Sequence, residues 1–161
     1  MRYLMCALVL LTSLATAAPA YAASMRLDMG LLELVRQLTA HRPVSHQTLV
    51  DFGITDLHKD GGHYTGADIS LNDENAISKI ELREYDGGTF LILRLGKSTV
   101  TREEIESEFG PFRFFSGPKG KSAEELILYG NDAIENFTLK YGLDQTTLEP
   151  VYFSIDSVTP K

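Results

Sequence analysis

The chain has 161 residues, a net charge of −7 at pH 7 and a single cysteine. An acidic chain without a basic block is a poor match for nucleic acid or an anionic membrane surface, and one cysteine cannot make an intramolecular disulfide framework. The length is enough for one domain with a hydrophobic core.

Met1-Arg2-Tyr3 is followed by an apolar run from Leu4 to about Leu14 and then by Ala15-Thr16-Ala17-Ala18-Pro19-Ala20-Tyr21-Ala22-Ala23. A basic start, an apolar stretch and an Ala-x-Ala site predict a secretory signal peptide over residues 1–23, cleaved after Ala22 or Ala23. An anchoring helix needs about twenty apolar residues, and Pro19 interrupts sooner. Cleavage after Ala23 leaves a single domain of 138 residues, residues 24–161, with a charge of −8 because Arg2 leaves and no acid does. Cys6 lies inside the apolar run, too early for lipidation. The mature chain then has no thiol in a compartment that permits disulfides, which fits a bacterial periplasm better than a eukaryotic secretory route.

Asp28 can cap a helix running to about Thr39, with Leu27, Leu31, Leu34, Val35 and Leu38 on one face and Glu33, Arg36 and Gln37 on the other. Pro43 breaks it. Ser45 opens a second, short helix from Gln47 to Phe52, and Gly53 stands where a left-handed cap is favoured. Thr55 to Gly66 is polar and turn-rich and is expected as a loop. Three strands follow at Ala67–Asn72, Ala76–Tyr85 and Thr89–Leu95, with Asp86-Gly87-Gly88 as a hairpin signal. Connections this short require antiparallel pairing. A helix spans Thr99 to Phe109, opened by a capping box of Thr101 with Glu104 and ended by Gly110-Pro111. After a loop from Phe112 to Ala123, strands are expected at Glu125–Tyr129, Ala133–Tyr141 and Pro150–Ser157.

Both halves read as a short helix followed by three strands. At an offset of 57 residues, Phe52-Gly53 overlays Phe109-Gly110, Ile69 and Leu71 overlay Leu126 and Leu128, and Ala76-Ile77 overlays Ala133-Ile134. This predicts an internal duplication, about 45–95 and 101–157, within an α+β domain. An N-terminal helix would precede two short-helix plus three-strand antiparallel units, with the helices packed on one face of the sheet.

Val100-Thr101-Arg102-Glu103-Glu104-Ile105 through Phe109-Gly110-Pro111, followed by the strand triplet, resembles the β-lactamase-inhibitor-protein-like fold shared by small bacterial outer-membrane assembly lipoproteins. The resemblance covers most of residues 45–157. It implies a binding protein, an enzyme inhibitor or an assembly component. The chain departs from that group in lacking both disulfide-forming cysteines and a lipidation cysteine.

Motifs for chemistry are weak. Gly96-Lys97-Ser98 and Gly120-Lys121-Ser122 lack the glycine five residues upstream that a phosphate-binding loop needs. His58, Asp60 and His63 have ligand chemistry for zinc, but a glycine loop sets no geometry for them. There is no Gly-x-Ser-x-Gly elbow, and Glu103, Glu104, Glu106 and Glu108 lie on a solvated helix face. No enzyme, cofactor or metal is therefore expected.

The strand faces carry more. Ile80, Leu82, Leu91, Leu93, Phe137, Leu139, Val151, Phe153 and Ile155 are expected to face the core. The opposite face then collects Phe90, Ile92, Ile127, Tyr129 and Tyr152 among Lys79, Glu81, Arg83, Arg94, Lys140 and Asp156. Aromatics and arginines among mixed charges suit a protein interface. Phe112-Arg113-Phe114-Phe115 is a second candidate contact. The expectation is an exported, periplasmic protein-binding module, monomeric or homodimeric, whose most specific form is an inhibitor or immunity protein against a cell-wall-directed or secreted enzyme. The alternative is a small-ligand-binding protein or hydrolase with a pocket between sheet and helices.

Overall fold

The computed structural model describes residues 25–66, 68–120, 126–131 and 137–158. The expected signal peptide, Cys6, Lys121-Ser122 and the Ala133–Asn136 start of one expected strand lie outside the described residues. In chain order the N-terminal elements are β1 (Met25–Arg26), α1 (Leu31–Ala40), α2 (His46–Asp51), β2 (His58–Asp60), β3 (His63–Gly66) and β4 (Ile69–Ser70). Then come β5 (Ala76–Tyr85), β6 (Gly88–Lys97), α3 (Arg102–Phe109), β7 (Arg113–Ser116), β8 (Leu126–Gly130), β9 (Phe137–Asp144) and β10 (Pro150–Val158).

The expected α+β organisation of two helix-plus-three-strand units, with helices packed on a sheet face, is overturned. Strands take up 46% and helices 20%, and the described strands form one continuous ten-stranded mixed sheet. Its order is β1-β4-β5-β6-β10-β9-β8-β7, with the β2–β3 hairpin attached to β5. The pairing is antiparallel except between β1 and β4. The halves expected as repeats meet along the β6–β10 seam, where Leu93 stands opposite Phe153 and Leu91 opposite Ile155.

Two physical reasons account for the difference. His58-Lys59-Asp60 is exposed throughout and has no apolar alternation, so β2 is held by backbone pairing to β3 and carries no pattern to read. Arg113-Phe114-Phe115-Ser116 pairs with β8 and so joins the sheet as its last strand. Both stretches read as loops.

Local sequence rules set the helices. Thr101 accepts a hydrogen bond from the Glu104 amide, and the Glu104 carboxylate accepts from the Thr101 amide, so the predicted capping box opens α3. Ser45 and Thr48 make the same reciprocal pair at α2. Gly53, just after α2, adopts φ +85°, the left-handed region that glycine enters without a Cβ clash. At α1 the expected cap is corrected. Gly30 occupies the cap position, and the Leu31 amide donates at 2.7 Å to Asp73, whose side chain reaches across from the turn before β5.

One core cluster of buried residues takes in Leu31, Leu34, Val35 and Leu38 of α1 together with the alternating strand residues Ile80, Leu82, Leu91, Leu93, Phe137, Leu139, Phe153 and Ile155. Val151 does not join them. A bulge between Pro150 and Tyr152 interrupts the alternation there and leaves Val151 half-buried.

Candidate functional site

The face of the sheet away from this core is built by strand parity. Successive side chains alternate sides, so once Ile80 and Leu82 are buried, Lys79, Glu81 and Arg83 must stand on the other face. The register extends that face into cross-strand rows. One runs Glu81, Ile92, Ser154, Lys140; another Arg83, Phe90, Asp156; a third Lys79, Arg94, Tyr152, Gly142. Of the predicted contact residues, Lys79, Glu81, Arg83, Phe90, Ile92, Arg94, Lys140 and Tyr152 are thereby brought together.

Glu81 is the electrostatic centre. Its side chain is only 8% exposed, and Lys79 Nζ lies 2.9 Å from Oε1. Arg83 Nη2 lies 3.4 Å from Oε2, and Arg94 Nε 3.7 Å from Oε1. His63, brought in by β3, places Nε2 at 3.8 Å from Oε2. The Lys79 hydrogen bond first, then Arg83 and the nearby Arg94 charge, hold the Glu81 carboxyl below the usual carboxylate range, against the upward pull of its burial. One buried carboxylate thus fixes the positions of several half-exposed cations. Further along the face, Tyr85 donates to Asp156 at 3.1 Å, and burial, with the Asp156 charge, raises the Tyr85 phenol.

Beside this cluster the face dips into a hollow of about 350 Å³ lined by Phe90, Ile92, Arg94, Phe115, Leu126, Leu128, Lys140, Tyr152 and Ser154. Gly142 shapes it. A Cβ at that position would come within 2.7 Å of Tyr152 Cδ1, so the missing side chain lets the Tyr152 ring lie against the β9 backbone. Burial raises the Tyr152 phenol, partly offset by the Arg94 charge. At the far rim Lys140 Nζ sits 4.2 Å from the Phe115 ring centroid.

Sequence reasoning missed Ser154, Leu126, Leu128 and Gly142. Ser154 follows from its period-two relation to Tyr152. Phe115 was expected in a separate contact, and β7, by pairing with β8, brings it to the rim of this same hollow. Within the aromatic stretch proposed as a second contact, Phe112 is buried against Tyr141, with centroids 4.9 Å apart, whereas Phe114 and Phe115 are 64% and 60% exposed.

Tyr129 and Ile127 depart from the expected face. Tyr129 pairs with Tyr141 and Ile127 with Leu143, so both lie on the core side. The Tyr129 and Tyr141 rings stack at 5.3 Å, and the Arg102 guanidinium covers Tyr129 at 4.3 Å from the centroid. Arg102 donates to the Tyr129 hydroxyl at 3.1 Å and to Glu106 Oε1 at 2.7 Å. Tyr141 donates to the same Glu106 oxygen at 3.1 Å, and burial drives its phenol far up. A second cavity, of about 540 Å³, opens here between the start of α3 and the sheet, with Val100, Arg102, Ile127, Tyr129, Leu143 and Leu148 among its walls.

Among the described residues no group of three or more histidines, cysteines or acids is placed to hold a metal ion. His58 stands opposite Thr65 in the β2–β3 hairpin, and His63 turns to Glu81 instead. Compared with known protein families, curated proteins and solved structures, the chain finds no match. Function is therefore read from the chain's own geometry.

Proposed function

We propose that the protein is an exported, periplasmic binding module that recognises another protein through the open sheet face, acting as an inhibitor or immunity protein against a cell-wall-directed or secreted enzyme. The observation that supports this reading is the ordered face itself. Phe90, Ile92 and Tyr152 are half-buried there among Lys79, Arg83 and Arg94, which the buried Glu81 holds in place. Pre-positioned arginines and aromatics lose little freedom on binding, which is what concentrates affinity in a small number of contacts.

Affinity capture from a periplasmic extract of the source cells tests it. The expected result is a stoichiometric enzyme partner whose activity falls on addition of the protein, with both effects lost in Arg83→Glu and in Tyr152→Ala. A partner retained equally by both variants overturns the sheet-face reading. A second reading, a small-ligand carrier or hydrolase, draws on the cavity beside α3. It predicts ligand-dependent thermal stabilisation that Leu143→Trp abolishes and Tyr152→Ala leaves intact.

A further inference from the structure

We propose that the hollow on the sheet face receives an apolar or aromatic side chain flanked by carboxylates, so that the protein's partner presents an acidic segment. This rests on the reading of the sheet face as the binding surface and adds the chemistry of what it binds.

The floor sets the apolar part. Phe90, Ile92, Leu126, Leu128 and Tyr152 are all half-buried around the hollow, and an aromatic side chain seated on them would remove roughly 150–250 Å² from water. The rim sets the charge. Among the described residues, the charged side chains lining the hollow are those of Arg94 and Lys140, with no carboxylate beside them. Across the wider face, over strands β5 to β10 and among the described residues, Lys79, Arg83, Arg94, Arg113 and Lys140 outnumber Glu81, Asp144 and Asp156, although the chain as a whole carries −7. The net charge alone would favour a basic partner. At contact distance it does not decide, because charges beyond about 8–10 Å are screened at physiological salt while those at the rim are not. The local surplus therefore selects the partner, and like-charge rejection at Arg94 and Lys140 excludes a basic segment.

Polyanions fit less well than an acidic protein segment. Tight nucleic-acid binding uses roughly 6–10 phosphate contacts, and this face interrupts its cations with Glu81 and Asp156.

Nuclear magnetic resonance titration of the isotope-labelled protein with three synthetic peptides tests the inference. They are a decapeptide with phenylalanine between glutamates, the same peptide with lysines for glutamates, and one with alanine for phenylalanine. The acidic aromatic peptide is expected to shift resonances of Ile92, Leu126, Leu128 and Ser154. It should bind at least tenfold more tightly than the other two, and more weakly as salt rises. Gly142→Ala, which displaces Tyr152 without touching a charge, should weaken it at least tenfold. The double variant Arg94→Gln/Lys140→Gln should remove the salt dependence while the fold, judged by its dispersed spectrum, persists. No shifts up to millimolar peptide, or equal binding of the lysine peptide, overturns the inference. So does stronger binding of single-stranded DNA or phosphatidylglycerol vesicles at the same face. If that happens while a captured enzyme still depends on Arg83 and Tyr152, the acidic-segment inference fails and the sheet-face reading stands. If capture too is indifferent to those residues, both fail.

Discussion

Replacing Glu81 with glutamine isolates the charge at the centre of the sheet face, because volume and hydrogen-bonding capacity are nearly kept. The side chains of Lys79, Arg83 and Arg94 are 47%, 54% and 55% exposed, so water screens most of what they lose, and each arginine pair counts near the low end of about 0.2–1 kcal/mol. The Lys79 bond at 2.9 Å ends on a buried carboxylate, and hydrogen bonds to charged groups contribute about 1.5–3 kcal/mol before the lysine's own exposure is discounted. The expected loss is therefore ~1–2 kcal/mol at neutral pH, read from urea unfolding. The pH dependence gives the sign. The folded carboxyl titrates below its unfolded value, so its contribution is complete above about pH 4.3 and disappears as pH falls through the folded value. The stability gap between wild type and Glu81→Gln should be widest near neutrality and close in acid, since the variant has nothing to titrate at that position. A gap missing at neutral pH, or one undiminished in strong acid, refutes the assignment of Glu81 as the charge that organises the face.

Three further substitutions test the frame around the site. Thr101→Ala removes the α3 cap and should cost ~1 kcal/mol, with the loss seen in thermal or urea unfolding. Leu148, 57% exposed in the turn before β10, adopts φ +61°. Leu148→Gly should raise stability by ~0.5 kcal/mol, the relief of ~1–2 kcal/mol of left-handed strain exceeding the added unfolded-state entropy. Tyr141→Phe deletes the hydroxyl that donates to Glu106 while keeping the ring stack, and should destabilise by ~1–2 kcal/mol. Glu106 is held below the usual carboxylate range by Arg102 first and Tyr141 second, so the phenylalanine variant should move its titration upward in a carbon-detected pH series.

Much of the sheet face was legible from β5 and β6 alone. Ile80 and Leu82 alternate with Lys79, Glu81 and Arg83, and the short Asp86-Gly87-Gly88 connection forces the two strands together, so the rows across them follow from parity. The Thr101–Glu104 box was legible for a similarly local reason. Tyr129 was not. Its face depends on the β8–β9 register, which pairs it with Tyr141 across a connection whose length and shape no alternation pattern reports. β2, β3 and β7 were hidden because edge and hairpin strands are stabilised through the backbone, and exposed residues such as His58, Lys59 and Asp60 show no buried side to read. Without those strands the chain divides into helix-and-sheet units. With them, and with the β6–β10 seam, it is one sheet. The burial of Glu81 was also invisible, since what covers it comes from Lys79 and Arg83 two residues away and from Arg94 across the hairpin.

The seam has a consequence for how the chain acquires its structure. Within the β5–β6 hairpin Tyr85 already faces Gly88, a local closure of the kind that forms in about 1–10 μs. Arg94 and Tyr152 face each other across β6 and β10 while standing roughly 60 residues apart along the chain, and such distant pairings place sheet proteins in the millisecond-to-second range. Until β10 returns, the hydrogen-bonding groups along one edge of β6 have no strand to pair with, and Leu91 and Leu93 lack the Ile155 and Phe153 that stand opposite them. The return of β10 is then the step expected to limit folding. Destabilising changes in the β5–β6 turn, made in a unit already closed when β10 arrives, should slow folding with little effect on the rate of unfolding, whereas seam contacts completed only as β10 docks should act more on the rate of unfolding.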